Sequence, residues 1–144
     1  MAYDSILLAE DNDNDIELCL KAFKQNNLVT KIVITKDGVD TLDYLRCEGK
    51  YSDREPGNPL FILLDIKMPK KDGLKVLKEI RETDRLKLIP VTILTSSQQE
   101  SDILKGYSLG ANAYVVKPVD FAKFVDVVRE IGLFWDVVQQ PPAV

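Results

Sequence analysis

The sequence contains no histidine and only two cysteines, and these shortages exclude several kinds of chemistry. Without histidine the chain can form no Ser-His-Asp triad, no histidine general base and no zinc site with histidine ligands. Cys19 and Cys47 lie far apart and form no Cys-x-x-Cys pair. We interpret both as reduced thiols, with Cys19 in the apolar face of a helix and Cys47 near a helix end.

Long apolar segments and an excess of positive charge are also missing. No apolar run approaches the ~20 residues that a membrane helix needs, and the amino terminus lacks a basic segment followed by an apolar one. The formal net charge is -4, whereas nucleic-acid-binding modules usually carry a basic surface. We therefore expect a cytoplasmic protein that contacts neither membranes nor nucleic acids directly.

The 144 residues, 45% of them apolar, suit one domain of the α/β class. Apolar β-branched runs alternate with segments of helical period, which predicts five βα units, and therefore a parallel sheet flanked by five helices. The predicted strands cover residues 5–9, 31–35, 60–64, 91–95 and 114–116. The predicted helices carry apolar stripes at 16–23, 39–45, 74–80, 103–107 and 121–131, with the second starting near Asp37 and the fourth ending before Gly110.

Two segments exceed what simple connections require. Residues 48–59 form a long polar link, which we predict to be a mobile surface loop. We divide the chain into a main domain, residues 1–132, and a carboxyl-terminal tail, residues 133–144. The tail holds Phe134 and Trp135 among further apolar residues. It either extends the last helix and packs on its own domain, or forms a surface for self-association.

Chemically active side chains follow four of the predicted strands. Since the carboxyl ends of parallel strands meet at one edge of a sheet, these side chains should converge. They are Glu10 and Asp11 after the first strand, Asp65 after the third, Thr95 and Ser96 at the fourth, and Lys117 after the fifth.

Converging carboxylates would repel one another unless a cation or protons intervened. Mg²⁺ prefers oxygen ligands and keeps several waters, so Asp11 and Asp65 are candidate ligands, with Glu10 acting through water and a backbone carbonyl near Lys67 completing the set. The alternative is that Glu10, Asp11 and Asp13 merely cap the first helix, but this leaves Asp65 and the other strand-end residues unexplained.

The same residues suit phosphoryl transfer, in which a protein mostly positions the groups and stabilises charge. Asp65 is the candidate nucleophile, Lys117 the cation for one phosphoryl oxygen, and the Thr95 hydroxyl a donor to another. Each has a plainer interpretation: Lys117 as a solvated lysine and Thr95 as an ordinary strand residue. The bond between Lys117 and Pro118 is a candidate cis peptide that would fix the direction of the lysine side chain.

These motifs together resemble the receiver domains of two-component response regulators over nearly the whole chain. The matching stretches are Glu10-Asp11, "ILLDIKMPKKDG" around Asp65, "ILTSS" with Thr95 and Ser96, and "AYVVKP" with Tyr114 and Lys117. The resemblance implies a flavodoxin-like sheet of order 2-1-3-4-5 and Mg²⁺-dependent transfer, with Mn²⁺ as a substitute, from a sensor kinase phosphohistidine to Asp65. It further implies that Ser96 and Lys117 contact the phosphoryl group, and that Thr95 and Tyr114 switch the face built from the fourth helix and the fifth βα unit.

Two details refine this resemblance. The "LTSS" and "FWDVV" stretches and the long 48–59 link are similar to the stand-alone regulators of bacterial and cyanobacterial phytochromes, which implies a light-sensing histidine kinase as partner and a homodimer. Lys67 lies two positions after Asp65, and we expect its side chain to tune the loss of the phosphoryl group.

Other functions remain open from the residues alone. A phosphatase of the haloacid dehalogenase type would need a second aspartate where Lys67 stands. A flavodoxin-like cofactor carrier would need a phosphate-binding loop where Glu10 to Asp13 would repel phosphate. A receiver-shaped scaffold that is never phosphorylated is the third alternative. We expect no enzyme in the usual sense, since a receiver catalyses only its own phosphorylation and dephosphorylation.

Overall fold

The computed structural model describes residues 5–26, 31–96, 100–117 and 121–139. Its centre is a parallel sheet of five strands in the order β2-β1-β3-β4-β5. The strands are β1 (Ser5–Ala9), β2 (Lys31–Thr35), β3 (Ile62–Leu64), β4 (Val91–Thr95) and β5 (Ala113–Val116). The predicted fold class and the implied strand order are confirmed. From β1 the chain adds β2 on one side and β3, β4 and β5 on the other. In sheets of this kind, a crevice forms at the carboxyl ends of the two strands where the direction changes, here β1 and β3.

Five helices flank the sheet, and the described residues include side-chain caps at the starts of three of them. They are α1 (Asp13–Gln25), α2 (Gly38–Arg46), α3 (Gly73–Glu82), α4 (Glu100–Ser108) and α5 (Phe121–Gln139). Asn12, Asp37 and Asp72 each accept a hydrogen bond from the backbone N–H three residues ahead. None of the described helices is both long and apolar enough to cross a membrane.

The hydrophobic core lies in two layers, one on each face of the sheet, because β1 is buried on both faces. Ile6 and Leu8 pack with residues of α1 and α5, including Phe23 and Phe124. Their neighbours in β1 point the other way and pack with α2 and α3. Cys19 belongs to the first layer as predicted, and Cys47 caps α2 with a backbone φ of 58°; both are free thiols.

Gly38 and Gly73 let the first turns of α2 and α3 approach the connection between β3 and α3. A Cβ on Gly38 would lie 2.0 Å from the carbonyl oxygen of Lys71, and one on Gly73 would lie 2.1 Å from that of Asp65. The N–H of Gly38 also donates to the carbonyl oxygen of Pro69. The connection that follows Asp65 is therefore packed between two helix starts.

The 48–59 link is packed onto α2. It contains a short 3₁₀ helix, Gly49–Tyr51, and the Tyr51 ring meets that of Tyr44 edge to face. Arg54 stacks on the Tyr44 ring and donates hydrogen bonds to Cys47 Sγ and to the carbonyl oxygen of Gly57. The sequence predicted a mobile loop here and gave no indication of these contacts with α2.

The predicted tail, residues 133–144, begins inside a helix. α5 runs without a break past Gly132 to Gln139, while residues 140–144 lie outside the described part of the chain, as does Pro118. The boundary between domain and tail and the predicted dimer contact both stay predictions.

Candidate functional site

Three carboxylates meet at the carboxyl ends of β1 and β3. Glu10 and Asp11 follow β1 directly, and Asp65 follows β3. The N–H of Asp65 donates to the carbonyl oxygen of Ala9 at 3.0 Å, which aligns the two strand ends. One oxygen of each carboxylate lies within 4.8 Å of the other two. The structure thus brings together the three acids that the sequence pattern singled out.

Glu10 is a buried acid, with only 1% of its surface exposed. Its Oε1 accepts a hydrogen bond from Lys117 Nζ at 2.8 Å, and its Oε2 accepts one from the Asn12 N–H at 3.1 Å. Burial raises the pKa of Glu10 to about 7; the hydrogen bond from Lys117 opposes this shift, and the charge of Asp65 adds to it. The charge on Glu10 near neutral pH therefore depends on a neighbouring cation.

Lys117 lies at the end of β5, where its N–H donates to the carbonyl oxygen of Thr95. Its ammonium group contacts Glu10, Asp15 and Asp65 at 2.8, 2.7 and 3.5 Å. Burial alone would lower the pKa of Lys117, but the hydrogen bonds to Asp15 and Glu10 and the charge of Asp65 outweigh it, and the pKa is raised. With 11% of its side chain exposed, Lys117 is not a solvated surface lysine.

The two hydroxyl residues at the end of β4 occupy different environments. Thr95 is fully buried, whereas Ser96 is exposed. Ser96 lines an open cleft of about 490 Å³ together with Asp65, Lys117 and four further residues, namely Asp11, Asn12, Asp15 and Lys67. The cleft offers a phosphoryl-sized group access to Asp65 beside a hydroxyl and an ammonium group.

Lys67 contributes to the cleft through both its backbone and its side chain. Its N–H donates to Asp65 Oδ1 at 3.3 Å, which orients the carboxylate, and its exposed side chain lies along the cleft wall. The role of its carbonyl oxygen as a metal ligand stays a prediction.

Tyr114 lies in β5 away from the carboxylates, partly buried against α4. Its ring centroid is 6.4 Å from that of Tyr107, and a Cβ on Gly106 would come within 3.4 Å of the ring. The same Cβ would lie 2.9 Å from Ile93 Cδ1, so the absence of a side chain at Gly106 lets α4 pack closely on Ile93 beside the ring. The predicted rotamer change of Tyr114 stays a prediction.

The donor set fits a hard divalent cation. Carboxylate oxygens from Glu10, Asp11 and Asp65 lie close enough to share one ion, and such ligands are those that Mg²⁺ and Mn²⁺ prefer. Burial, with a smaller contribution from the charge of Asp65, raises the pKa of Glu10, and a divalent cation beside these carboxylates would favour the charged form of Glu10. The protein share of a metal site is therefore present, with room in the cleft for water.

Helix capping does not account for the acids. The cap of α1 is Asn12, whose Oδ1 accepts from the N–H of Asp15 at 3.0 Å, and Asp13 pairs with Lys36 at 2.9 Å. Sequence reasoning missed both the cap and Asp15. The sequence did contain a signal for Asp15, which is its spacing. Asp15 follows Asp11 by four residues, about one helical turn, so its side chain lies on the same side of α1 as the end of β1.

Comparison with known proteins identifies the family. Residues 6–129 match the family described as response regulator receiver domain. The chain belongs to that family. Response regulator Rcp1 of Synechocystis sp. is 36% identical over 139 residues, which cover 96% of this receiver and 93% of Rcp1.

Solved structures of response regulators, two of them described as phytochrome response regulators, are similar over most of their length. A Mn²⁺-bound form of Rcp1 has a TM-score of 0.81 at 35% identity, covering 97% of this receiver and 99% of that chain. The bacteriophytochrome response regulator RtBRR has a TM-score of 0.82 at 49% identity, covering 97% of the receiver and 84% of that chain. Phosphorylated RcpA, a cyanobacterial phytochrome response regulator, has a TM-score of 0.82 at 37% identity, covering 99% of the receiver and 100% of that chain. The recognised likeness to phytochrome response regulators is confirmed.

Proposed function

We propose that this receiver is a cytoplasmic phosphorelay protein that accepts a phosphoryl group on Asp65 from the phosphohistidine of a sensor kinase in a Mg²⁺-dependent reaction. The observation that carries the proposal is the position of Asp65, which opens onto a cleft where Lys117 and two other carboxylates converge. In this proposal the chain is no enzyme toward other molecules, because the group it transfers stays on its own aspartate.

Each residue in the cleft has a task in this reaction. An oxygen of Asp65 attacks phosphorus while the bond to the donor nitrogen breaks, and the N–H of Lys67 holds the other oxygen in place. Mg²⁺ would be held by Asp11, Asp65 and Glu10, and it supplies positive charge for the phosphoryl oxygens. Lys117 supplies a second positive charge, and Ser96 offers a hydroxyl donor at the cleft wall.

The rival functions fit the site less well. Lys67 stands where a dehalogenase-type phosphatase would need its second aspartate, so the cleft has no carboxylic acid in that place. A cofactor carrier would need N–H groups at the end of β1, where the side chains of Glu10 and Asp11 stand instead. A scaffold that is never phosphorylated would not require the Lys117 ammonium group to lie among the carboxylates of Glu10, Asp15 and Asp65.

The proposed partner is a phytochrome-type histidine kinase, and the proposed assembly is a homodimer through the face of α4, β5 and α5. Similarity to RtBRR, Rcp1 and RcpA supports the kinase. Exposed Tyr107 on α4 and Phe121 on α5 support a contact on that face. Phosphorylation would act on Thr95 and Tyr114 and thereby change assembly. The size of the change would depend on how strongly phosphorylation favours one of two conformations of the face built from α4, β5 and α5.

Intact-mass measurement tests the proposal directly. The protein is incubated with Mg²⁺ and acetyl phosphate, and separately with an autophosphorylated phytochrome kinase. We expect one phosphoryl adduct in the wild type, none in Asp65→Asn and none after chelation. Lys117→Ala should gain the adduct far more slowly, by about a hundredfold if the lysine stabilises the transferring group as preorganised charges do.

Asp84→Asn is the matched control, because Asp84 has a side chain 98% exposed and far less constrained than Asp65. Its adduct should form at the wild-type rate. A wild-type chain that gains no adduct from either donor would favour the unphosphorylated scaffold, and an adduct retained in Asp65→Asn would place the acceptor elsewhere.

A further inference from the structure

Asp15 is a fourth carboxylate at the cleft, and neither metal binding nor phosphoryl acceptance gives it a role. It lies in the first turn of α1, where its N–H is fixed by the Asn12 cap. Its Oδ2 lies 2.7 Å from Lys117 Nζ, whereas Asp65 Oδ2 lies 3.5 Å from the same atom. The lysine is therefore bound more closely to a residue outside the reaction than to the acceptor itself.

On the basis of the proposed function, we infer that Asp15 is a positioning residue that holds Lys117 back from Asp65. Phosphorylation of Asp65 must then draw the Lys117 ammonium group away from Asp15. An ammonium group has three donor hydrogens, and here Glu10 and Asp15 take the two short contacts. A phosphoryl group on Asp65 offers oxygens that compete for the same hydrogens. Asp15 thus lowers the affinity of the cleft for a phosphoryl group by the cost of releasing Lys117.

The surroundings make this competition effective. The Lys117 side chain is 11% exposed and that of Asp15 is 25% exposed, so water screens their contact only in part. Glu10 is too deeply buried to follow the lysine outward, and its second oxygen is held by the Asn12 N–H. The ammonium group therefore moves between Asp15 and the acceptor while Glu10 stays in contact with it.

Beryllofluoride, which binds an aspartate as a phosphoryl mimic, tests the inference without requiring a kinase or turnover. Its affinity is measured on the full chain at saturating Mg²⁺, and the Mg²⁺ affinity is measured separately without the mimic. In Asp15→Asn we expect beryllofluoride to bind about tenfold more tightly than in the wild type, as the loss of one competing charge-assisted hydrogen bond predicts. Asp15→Glu, which restores the charge on a longer arm, should return the affinity most of the way to the wild-type value.

Asp13→Asn is the matched control, because it removes the same charge from the same helical turn. The Asp13 side chain is 84% exposed and pairs with Lys36, not with Lys117. An equal gain in Asp13→Asn and Asp15→Asn would overturn the inference, since general electrostatics would then explain it. A gain that merely follows a change in Mg²⁺ affinity would overturn it too.

The experiment separates this inference from the proposed function. If the wild type binds the mimic and Asp15→Asn binds it equally well, the positioning role is wrong and the acceptor role of Asp65 stands. If neither the wild type nor any variant binds the mimic, while Mg²⁺ still binds, both the proposed function and the inference fail.

Discussion

Replacing Glu10 by glutamine should stabilise the metal-free protein at alkaline pH and have almost no effect at mildly acid pH. Glu10 is 1% exposed, so its ionised form is costly unless a cation neutralises it. Glutamine has nearly the same shape, and its Oε1 can still accept from Lys117. The change therefore removes a buried negative charge without leaving a cavity.

The size of the effect follows from the pKa of Glu10, which is 4.5 in its ordinary state and about 7 in the folded protein. Because the folded pKa is raised, the folded state binds more protons than the unfolded state between these values, and wild-type stability falls as the pH rises through them. Once the pH exceeds both pKa values, the free energy of unfolding of the wild type has fallen by about 3 kcal/mol. Glutamine avoids this loss but gives up the hydrogen bond from the Asn12 N–H, which costs about 1 kcal/mol.

Equilibrium urea unfolding in chelator at several pH values is the assay. We expect Glu10→Gln to match the wild type at about pH 5.5, where the charge penalty is only partly developed and the lost hydrogen bond offsets it. At about pH 8.5 we expect the variant to be more stable by about 2 kcal/mol. This corresponds to a rise in midpoint temperature of about 4–8 °C for a chain of this size.

Glu17→Gln is the control, because Glu17 is an exposed acid on α1 whose pairing with Lys21 is weak. It should change stability by less than about half a kcal/mol at either pH. Adding Mg²⁺ should stabilise the wild type more than Glu10→Gln, since the variant lacks one charged oxygen ligand. A stability difference between Glu10→Gln and wild type that stays constant from acid to alkaline pH would refute the reasoning.

Three further outcomes are expected. Gly73→Ala should lower the free energy of unfolding by about 2 kcal/mol or more in urea titrations, because its Cβ would meet the Asp65 carbonyl oxygen at 2.1 Å, whereas Lys75→Ala on the same helix should be nearly neutral. Lys67→Ala should change the rate of phosphoryl loss several-fold by intact mass over time with Mg²⁺ affinity unchanged; an unaltered rate would remove the side chain from that role. Sedimentation of the phosphorylated full chain should show a dimer and that of a chain cut after Gly132 a monomer, and equal masses would show that the tail does not drive assembly.

The location of the site could be predicted from the sequence because it follows from topology. The carboxyl ends of parallel strands lie at one edge of a sheet, so Glu10 and Asp65, which follow the neighbouring strands β1 and β3, and Lys117, which follows β5, were expected at the same edge. The strands were also readable as short apolar runs. β1, β2 and β4 have the predicted bounds, whereas β3 begins two residues later and β5 one residue earlier than predicted.

Contacts made by long side chains could not be predicted in this way. The link 48–59 looks like a polar loop in sequence, yet the Arg54 side chain stacks on Tyr44 and donates to Cys47 Sγ, and these contacts help to fix the link to α2. Asp15 reads as one of several acids near a helix start until the lysine from β5 is seen to reach it. In both cases a long cationic side chain, Arg54 or Lys117, contacts one of several possible partners. The spacing of residues along the chain does not determine which partner it contacts.

The two thiols give this receiver a chemical handle in its native sequence. Thiol reagents attack the thiolate, and burial raises the pKa of Cys19 to about 12, while the side chain itself is inaccessible. A maleimide dye added to the folded protein should therefore couple at Cys47, the partly exposed thiol at the end of α2. One defined fluorophore per chain then allows energy transfer between separately labelled copies to test whether the chain self-associates, with no engineered cysteine required.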